Sequence, residues 1–445
     1  MSHSPLLSAT DLDAVFAWLP GGPRRVRDFL AEAEALAAQL PPSRHLLNVC
    51  QDRYRFAVGF AAGLTSGRVS LQPASQSAET LHRLQAEFPD IVCLHDGHFD
   101  SHGLPSIVFP DTAAVHSEKV EKIPQIADDT LAAILFTSGS TGLPQPHRKT
   151  WGKLVRSGRA EAQRFGLDHR PHHIVGTVPV QHSYGFESTF LLPLHGNCPF
   201  WSGKPFYPQD IVAALAAAPE PRLLVTTPFH LSALLASGLE LPPVDMLLSA
   251  TAPLSNALAA QAEERTGAPM MEIYGSTETG QLASRRTTDG AIWTLLPGPH
   301  LEQEDDTTYA QDGHVEGRVP LSDLIEILDD RRFVLHGRHA DLINIAGKRT
   351  SLAYLNHQLG EIPGVVDGAF FLPDDETPDG ITRLTAFVVA PALDSRSLMA
   401  ALRERVDAIF LPRPLVFVDQ LPRNTTGKLP RNNLQALYAE KVKHG

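Results

Sequence analysis

Apolar and polar positions follow two different periods along this chain, and each period predicts one kind of element. Between residues 131 and 300, short apolar runs lead into polar turns and then into segments with apolar residues at three-to-four spacing. The runs predict buried strands and the spaced segments predict helices. The clearest examples are strands at 131–136, 222–227 and 245–250, and helices at 230–237 and 255–267. Such alternation indicates a largely parallel α/β sheet.

The segments on either side of this central part have other patterns. Residues 26–39 predict a helix, and residues 46–50 and 90–94 predict short buried strands. Residues 300–336 are acidic and turn-rich, which predicts short strands. Beyond residue 338 the predicted elements are strands at 368–372, 383–390 and 414–418, a helix at 395–410, and a terminal helix. Together they make an α+β unit of about 105 residues, long enough to be a domain.

The predicted fold class is therefore α/β with two domains. Residues 1–337 are expected to form a large N-terminal domain of parallel sheets with helices and a small β-rich subdomain. Residues 338–445 are expected to form a small α+β C-terminal domain. Two or more packed units also fit a chain of 445 residues, because single domains usually have about 100–200 residues.

Composition and charge narrow the classes of partner. The chain is 43% hydrophobic and 20% charged, as is ordinary for a soluble globular protein. Its net charge of −12 argues against a nucleic-acid-binding protein. The charge is uneven, since residues 396–445 contain 9 basic and 4 acidic side chains, a net of +5. This basic tail is either a solvated helix face or a surface for an anionic partner.

Cysteine content and the N-terminal segment bear on the compartment. The cysteines are Cys50, Cys93 and Cys198, without CxxC spacing, so neither a disulfide framework nor a cysteine zinc site is expected. The N-terminal segment lacks a basic region before its apolar part, which is unlike a signal peptide. No uncharged apolar run reaches the roughly 18 residues of a membrane span. We therefore expect a cytoplasmic protein without a membrane span.

The strand at 131–136 leads directly into six Ser, Thr and Gly residues, 137–142. Glycine lets the backbone bend close to a ligand, and successive amides can form a nest for an anion. Four hydroxyls add donors for phosphate oxygens. A plain polar turn is the alternative, and the unbroken run after a buried strand favours a phosphate site. The GxxxxGK[ST] pattern of a Walker loop is absent.

This segment, TSGSTGLPQP, resembles the phosphate loop of the adenylate-forming superfamily, which contains acyl-CoA synthetases, aryl-acid ligases and luciferases. The family loop usually continues with Pro-Lys-Gly, where this chain has Pro144, Gln145 and Pro146. A basic residue is therefore missing at Gln145, and Arg148 or Lys149 are candidates to replace it. Further motifs follow in the family's order as far as residue 431, while residues 1–125 contain none and imply a trimmed first subdomain.

The central motifs of the family assign residues around the reacting groups. PVQHSYGFE (179–187) resembles the motif whose histidine, here His182, lines the acyl pocket. MEIYGSTETG (271–280) resembles the motif in which a tyrosine stacks on adenine, a threonine contacts the α-phosphate and a glutamate binds magnesium. The resemblance gives these roles to Tyr274, Thr277 and Glu278. Magnesium prefers hard oxygen ligands and takes few of them from protein.

The remaining motifs concern the ribose, the hinge and the C-terminal domain. Asp323 and Arg338 occupy the family's ribose-binding positions, 15 residues apart. GRHADLINIAGKR (337–349) resembles the hinge, with Ala340 and Asp341 at the pivot, where the family often has Asp or Lys. LPRNTTGKLPR (421–431) resembles the catalytic loop and makes Lys428 the lysine that reaches the active site during adenylation. The C-terminal domain would then be a mobile lid.

The resemblance thus implies one complete set of site residues. The catalytic residues would be Lys428, Glu278, Thr277 and His182, with Glu278 also the metal ligand. ATP or AMP would be bound by Thr137, Ser138, Gly139, Ser140, Thr141, Gly142, Tyr274, Gly275, Ser276, Thr277, Asp323 and Arg338. The acid would be bound by His182, Ser183, Tyr184, Ser249, Ala250, Thr251 and Tyr274.

The implied reaction has two steps, with ATP and Mg²⁺ as cofactors. A carboxylate attacks the α-phosphate and forms acyl-AMP, and a thiol then attacks the acyl carbon after the lid has rotated. The chain resembles stand-alone ligases that load acyl carrier proteins in aryl-polyene or xanthomonadin-type pigment pathways. That likeness favours a hydroxybenzoate-like acid and a carrier-protein phosphopantetheine as acceptor. The oligomeric state is not specified by any pattern.

Three alternatives stay open at this point. The acceptor could be coenzyme A, since its phosphates would also suit the basic tail. The acid could be a medium- or long-chain fatty acid. The departures at Gln145 and Ala340 also permit a non-catalytic relative that binds a nucleotide or an acyl ligand. Such a relative would bind ATP without releasing pyrophosphate.

Overall fold

A computed structural model describes residues 2–73, 75–110, 117–137, 145–305, 307–338, 342–345, 348–373, 383–424 and 429–443 of the chain. Its first part contains a parallel sheet with one antiparallel edge strand. The strands are β1 (His3–Pro5), β2 (Val15–Leu19), β3 (Gly22–Arg25), β4 (His45–Asn48), β5 (Val69–Gln72), β6 (Ile91–His95), β7 (Ser106–Val108), β8 (Gln125–Ala127), β9 (Leu131–Phe136) and β10 (Pro146–Thr150). The helices are α1 (Val26–Gln39), α2 (Arg53–Thr65) and α3 (Ala78–Glu87).

Six of these strands form a sheet in the order β10-β9-β5-β4-β6-β7. All neighbours are parallel except β9 and β10, which form a hairpin. The side chains of Asp52 and Ser77 accept backbone N–H groups at the starts of α2 and α3. These caps satisfy backbone donors that a helix leaves unpaired in its first turn, so they fix where both helices begin.

The central part builds a second and larger sheet. Its strands are β11 (His173–Gly176), β12 (Phe200–Trp201), β13 (Arg222–Thr226), β14 (Met246–Ser249), β15 (Met270–Ser276), β16 (Gly280–Arg286) and β17 (Ile292–Leu295). Its helices are α4 (Trp151–Arg164), α5 (Ser183–Phe186), α6 (Leu192–Gly196), α7 (Pro208–Ala217), α8 (Pro228–Ala236) and α9 (Asn256–Thr266). The helix of α5 continues through a π-helical turn at Glu187–Leu191 into α6.

The last part adds short strands and a separate α+β group. Its strands are β18 (Pro299–Glu304), β19 (Thr307–Asp312), β20 (Arg318–Pro320), β21 (Asp323–Ile327), β22 (Arg332–Arg338), β23 (Leu342–Ile345), β24 (Lys348–Ser351), β25 (Asp367–Phe371), β26 (Thr385–Val389) and β27 (Leu415–Phe417). Its helices are α10 (Leu352–Gly360), α11 (Ser395–Arg403) and α12 (Arg431–Tyr438). Strands β25, β26 and β27 form a three-stranded sheet, and β18, β19 and β20 form another.

The larger sheet has the order β21-β22-β17-β16-β15-β14-β13-β11-β12-β2-β3. The run β15-β14-β13-β11-β12-β2 is parallel throughout. The pairs on either side of it, from β15 to β16, β17, β22 and β21 and from β2 to β3, are antiparallel. Helices α7, α8 and α9 cover one face with a core that includes Leu224, Leu247 and Met270. The carboxyl ends of parallel strands meet at one edge, which is where α/β folds bind ligands.

The α/β fold class predicted from the sequence is confirmed, and so are the caps of one helix. The Ser255 hydroxyl accepts the Leu258 N–H at the start of α9, and Gly267 ends it with φ 70°. The predicted strand 222–227 is one residue too long, because Thr227 is the N-cap of α8 and Pro228 is its first residue. The expectation of a largely parallel sheet holds for β11 to β15 but not for the antiparallel strands beyond them.

The predicted helix 395–410 is wrong in its second half. Helix α11 ends at Arg403, and a separate 3₁₀ turn occupies Ala408–Phe410. The Asp407 carboxylate accepts the Ile409 N–H, 3.1 Å away, and so caps the new turn. An aspartate that bonds its own local backbone competes with helix continuation. Within the described part of the chain, no helix is both long and apolar enough to cross a membrane.

Candidate active site

The loop at residues 276–280 joins β15 to β16 as a tight antiparallel connection. The Ser276 and Thr279 hydroxyls lie 3.1 Å apart and bond across it. A Cβ on Gly275 would lie 2.4 Å from the Gly280 carbonyl oxygen, so only glycine fits at that position. The loop is thus held rigidly from within, and the Glu278 side chain, 40% exposed, projects from it.

The predicted adenine and ribose residues lie beside each other at one side of this loop. The Tyr274 hydroxyl donates to Asp323 Oδ2 at 2.8 Å. The Tyr274 ring packs against Trp293 and Phe333, with centroids 5.8 and 5.7 Å away. Asp323 begins β21 and pairs in register with Arg338 at the end of β22. The backbone of Arg338 is therefore close to Asp323, while its side chain lies outside the described residues.

The His182 segment forms the facing wall. His182 is the N-cap of α5, and its Nδ1 accepts the Tyr184 N–H at 3.3 Å. The Thr277 hydroxyl donates to the Ser183 hydroxyl at 3.5 Å, which joins this segment to the loop at residues 276–280. Tyr184 is buried and donates its hydroxyl to the Leu248 carbonyl at 2.9 Å. Because that proton is already committed, Tyr184 can offer an acid only its oxygen as an acceptor.

Ser249, Ala250 and Thr251 follow β14 at the same edge of the sheet. Ser249 is fully buried, and its hydroxyl has no hydrogen-bond partner among the described residues. Thr251 has φ 79°, so the chain turns sharply there. Thr226 on β13 is opposite Ser249 in register, and its hydroxyl lies 3.1 Å from the hydroxyl of Thr177. Hydroxyl groups therefore line one end of the parallel strands.

The phosphate-loop strand approaches the same place. Thr137 follows β9, and its hydroxyl lies 3.4 Å from His147 Nε2 on the partner strand β10. His147 Nε2 in turn lies 3.8 Å from Glu278 Oε1. Burial lowers the pKa of His147, partly opposed by the Glu278 charge. Several predicted site residues lie outside the described residues: Ser138, Gly139, Ser140, Thr141, Gly142, Ala340, Asp341 and Lys428.

Sequence reasoning missed a group of polar side chains directly beneath this loop. We call it the buried polar cluster, and it consists of Lys149, Glu161, Glu187, Ser188, Gln281 and His314. Every member is at most 6% exposed, and the two most exposed are Glu187 at 6% and Lys149 at 5%. A charged residue within an apolar segment is the sequence signal that indicates such a buried group, as at Glu187 in YGFESTFLL.

Hydrogen bonds connect the cluster internally. The Ser188 hydroxyl donates to Glu161 Oε1 at 2.7 Å and accepts from Gln281 Nε2 at 2.6 Å. Burial raises the pKa of Glu161 to about 8 and lowers the pKa of His314 to about 4, so both side chains are neutral at pH 7. Burial also raises the pKa of Glu187 to about 7, and the nearby Lys149 ammonium opposes that rise.

The Glu161 proton makes stability depend on pH. The folded pKa of about 8 lies above the ordinary value of 4.5, so the folded protein binds more protons between these values. The contribution of Glu161 is therefore fully present below pH 4.5 and is lost as the pH rises through 8. Wild-type protein should therefore lose on the order of 3–4 kcal/mol in the free energy of unfolding, measured in urea, between pH 5 and pH 8, and Glu161→Gln should not show this loss. Glu264→Gln, at an exposed site on α9, is the control, and an identical pH profile for both variants would contradict the prediction.

The residues around Glu278 fit a magnesium ion bound mainly by substrate. Among the residues that the structure describes, no three His, Cys, Asp or Glu side chains are grouped to hold a metal. Glu278 instead offers one exposed carboxylate next to the hydroxyl of Thr277 and near Thr137. Mg²⁺ is commonly bound through one or two carboxylates and substrate phosphates, so a single carboxylate beside His147 on β10 suits it.

Comparison with known proteins identifies similar sequences and structures. A family model described as AMP-binding enzyme matches residues 42–338. The 4-coumarate–CoA ligase of Rhodobacter capsulatus is 33% identical over 312 residues, which are 67% of this chain and 75% of that protein. The 3-hydroxybenzoate–CoA/4-hydroxybenzoate–CoA ligase of Thauera aromatica is 23% identical over 355 residues, 70% of this chain and 67% of that protein.

A solved structure shares the fold over nearly the whole chain. The o-succinylbenzoate coenzyme A synthetase from Bacillus subtilis, in complex with ATP and magnesium ion, superposes with a TM-score of 0.81. The superposition covers 98% of this chain and 100% of that one, at 18% sequence identity. At that identity the likeness establishes a common architecture rather than a common substrate.

Proposed function

Because this chain belongs to the AMP-binding enzyme family, we propose that it activates a hydroxybenzoate-like acid and loads it onto the phosphopantetheine of an acyl carrier protein. It is an AMP-forming acid–thiol ligase that uses ATP to convert a carboxylic acid to acyl-AMP. One observation carries the assignment of the site. The loop at residues 276–280 contacts the His182 segment through Thr277 and Ser183 and adjoins the phosphate-loop strand through Glu278 and His147.

The nucleotide would lie along the hairpin of β15 and β16. In this proposal Tyr274 packs on adenine, and Asp323 accepts the ribose hydroxyls while Tyr274 holds it by a 2.8 Å hydrogen bond. Thr137, Thr277 and the run at residues 138–142 would bind the phosphates. Glu278 would hold Mg²⁺, which would neutralise charge on the phosphates as the acid attacks.

The C-terminal residues would act as a lid. We propose a domain boundary between residues 337 and 338 and a pivot at Ala340 and Asp341. Two hydrophobic clusters, one around Phe370 and one around Phe371, take all of their described members from residues 343–442. Such a self-contained core supports an independently moving unit. Its rotation would bring Lys428 to the α-phosphate for the first step and remove it for the second.

The choice of acid is supported by the polar edge of the sheet and by the relatives. Ser249 and Thr226 place hydroxyl groups beside the segment that follows β14. The relatives named above are ligases of 4-coumarate and of hydroxybenzoates, which are aromatic acids with a ring hydroxyl. A medium- or long-chain fatty acid, the other substrate considered, has no ring hydroxyl.

Two molecules with the same phosphopantetheine thiol are candidates for the acyl acceptor. The net charge of +5 over residues 396–445 favours an acidic carrier protein in the cytoplasm, as in a pigment pathway. Coenzyme A is the second candidate, because the relatives are named as coenzyme A ligases. Both present the same phosphopantetheine thiol, so the difference lies in what is attached to it.

The test is acid-dependent release of pyrophosphate from MgATP with benzoates, cinnamates and fatty acids. Release with hydroxybenzoates, followed by acylation of holo-carrier protein and not of coenzyme A, is the expected result. Acylation of coenzyme A alone would reject the carrier protein, and release with fatty acids alone would reject the aromatic substrate. ATP binding without release of pyrophosphate for any acid would identify a non-catalytic nucleotide-binding relative.

The bond between Tyr274 and Asp323 gives a separate prediction for the nucleotide. Tyr274→Phe retains the ring but removes the donor that orients Asp323. We expect the KM for ATP to rise about five-fold, since one hydrogen bond contributes roughly 1 kcal/mol, while kcat changes less than two-fold. Tyr309→Phe on β19 is the control, because the Tyr309 ring lies against the Arg318 guanidinium and its hydroxyl is not the group that holds Asp323. A fall in kcat with an unchanged KM for ATP would be incompatible with the ribose role of Asp323.

A further inference from the structure

Two charged side chains hold the loop at residues 276–280 from below. Lys149 Nζ donates to the backbone carbonyl of Glu278 at 2.8 Å. Glu187 Oε2 accepts the backbone N–H of Gln281 at 2.8 Å. The two bonds are three residues apart, one on each side of Thr279 and Gly280. The backbone that carries the candidate magnesium ligand is therefore fixed at both of its ends.

The two side chains come from the other two motifs of the site. Lys149 lies on β10, which follows the phosphate loop, and it faces inward while its neighbour Arg148 is exposed. Glu187 begins the π-helical turn that follows His182 and α5. Lys149 thus cannot replace the basic residue missing at Gln145, because its ammonium is bonded to Glu278 inside the protein. It joins strand β10 to the loop at residues 276–280 instead.

Lys149 and Glu187 lie at a small enclosed cavity beneath the loop. Lys149, Glu187, Gly280 and His314 line a cavity of ≈ 10 Å³ under the loop, about the space of one buried water molecule. His314 donates to the Gln281 carbonyl at 2.7 Å, which fixes the next peptide group. The Lys149 ammonium favours the ionised form of Glu187 across this space, because charges interact more strongly there than in water. Neither end of the loop can shift without breaking its hydrogen bond to Lys149 or to Glu187.

Stability alone does not explain a buried pair of this kind. Charges removed from water lose solvation energy, and replacing a buried ion pair by apolar residues is often neutral or stabilising. A pair that contributes little to stability is more readily explained by what it orients. Its two hydrogen bonds are made to the backbone of the loop that presents Glu278. A one-ångström displacement of such a group is enough to impair a metal site.

We propose that Lys149 and Glu187 are positioning residues, which clamp the backbone from Glu278 to Gln281 so that the Glu278 carboxylate stays beside His147 on β10. The expected effect of this clamp on Mg²⁺ binding rests on the proposed function, in which Glu278 holds the metal ion that accompanies ATP. The clamp links three segments: β10, the π-helical turn that continues α5, and the loop at residues 276–280. The segment that follows the phosphate loop and the loop that carries Glu278 are therefore held by the same two side chains.

Three variants test the clamp. Lys149→Met keeps the length of the side chain but removes the donor and the charge. Lys149→Met/Glu187→Met removes both charges and so avoids an unpaired buried carboxylate. Lys153→Met is the matched control, because Lys153 lines the same cavity but donates to the Gly313 carbonyl, 2.9 Å away, and does not touch the loop.

Two measurements are made on each variant. The first is the Mg²⁺ concentration that gives half-maximal pyrophosphate release at fixed ATP. The second is hydrogen exchange of the peptide that covers residues 270–286, in the protein without ligands. Unfolding in urea is followed in parallel, so that a general loss of stability is recognised.

For the single variant we expect about a ten-fold increase in the required Mg²⁺ concentration and faster exchange in the peptide. The double variant should regain stability but keep both defects, and Lys153→Met should show neither. Recovery of Mg²⁺ dependence and exchange together with stability in the double variant would overturn the clamp and leave a merely structural pair. If the wild-type protein releases no pyrophosphate, the proposed function fails, and exchange still decides whether the clamp exists.

Discussion

Lys428→Ala is expected to lower acid-dependent pyrophosphate release by about 10²–10³-fold, the usual cost of removing one group that stabilises developing charge. Lys428 lies in LPRNTTGKLPR, the segment that resembles the family's catalytic loop. Its ammonium would contact the attacking carboxylate and the α-phosphate as negative charge moves between them. Thiol transfer from a chemically prepared acyl-adenylate should remain within about three-fold of wild type, because in the proposed mechanism the lid has rotated away before that half-reaction.

The difference between the two half-reactions is what makes this experiment informative. A general loss of folding would reduce both rates, whereas loss of a group used only in adenylation reduces one. Lys441→Ala is the matched control, since Lys441 is a C-terminal lysine with an exposed ion pair to Glu440. Equal losses in both half-reactions of Lys428→Ala would reject the role of Lys428 and favour a structural effect.

The elements that the sequence predicted correctly are those whose ends are marked by local chemistry. Ser255 and Gly267 bound α9 as expected, because a hydroxyl cap and a left-handed glycine act within one turn. The motif at 271–280 was found because it is contiguous, and the structure adds that Tyr274 and Asp323 touch although 49 residues separate them. The roles assigned to these residues stay predictions.

The features that were missed depend on distant parts of the chain. Lys149 lies in the polar stretch HRKT, where a lysine is ordinarily expected at the surface, yet it is 5% exposed. Only the pairing of β10 with β9, together with the position of Glu278 129 residues later, directs it inward. The helix predicted at 395–410 failed for a related reason, since its apolar spacing continues past Arg403 although Asp407 starts a new turn.

Arg53 is, after Lys149, a second buried cationic side chain that the sequence did not predict. Its replacement should have the largest effect on the free energy of unfolding. Its guanidinium is fully buried and donates to the carbonyls of Gly176 and Val178, both at 2.6 Å. It also donates to the Gly203 carbonyl and to the Thr189 hydroxyl. Burial lowers the pKa of Arg53 to about 10, so the side chain remains charged at pH 7.

These bonds fix the segment that leads from β11 to His182. Gly176 ends β11, Val178 lies four residues before His182, and Thr189 lies on the helix that follows. Arg53→Met would leave two buried carbonyls and the partly buried carbonyl of Gly203 without this donor, at about 1–3 kcal/mol for each buried one before any relaxation. We therefore expect a loss of about 3–5 kcal/mol in the free energy of unfolding, measured in urea, as for other broken buried networks.

Two further variants separate charge from geometry at this position. Arg55→Met removes an exposed arginine two residues along α2 and should cost less than about 1 kcal/mol. Arg53→Lys keeps the charge but has no planar fork to reach several carbonyls, so it should recover less than half of the loss. Full recovery with lysine would mean that charge alone is required. A loss in Arg53→Met no larger than in Arg55→Met would mean that the carbonyls of Gly176 and Val178 find other donors, and that the position of His182 does not depend on Arg53.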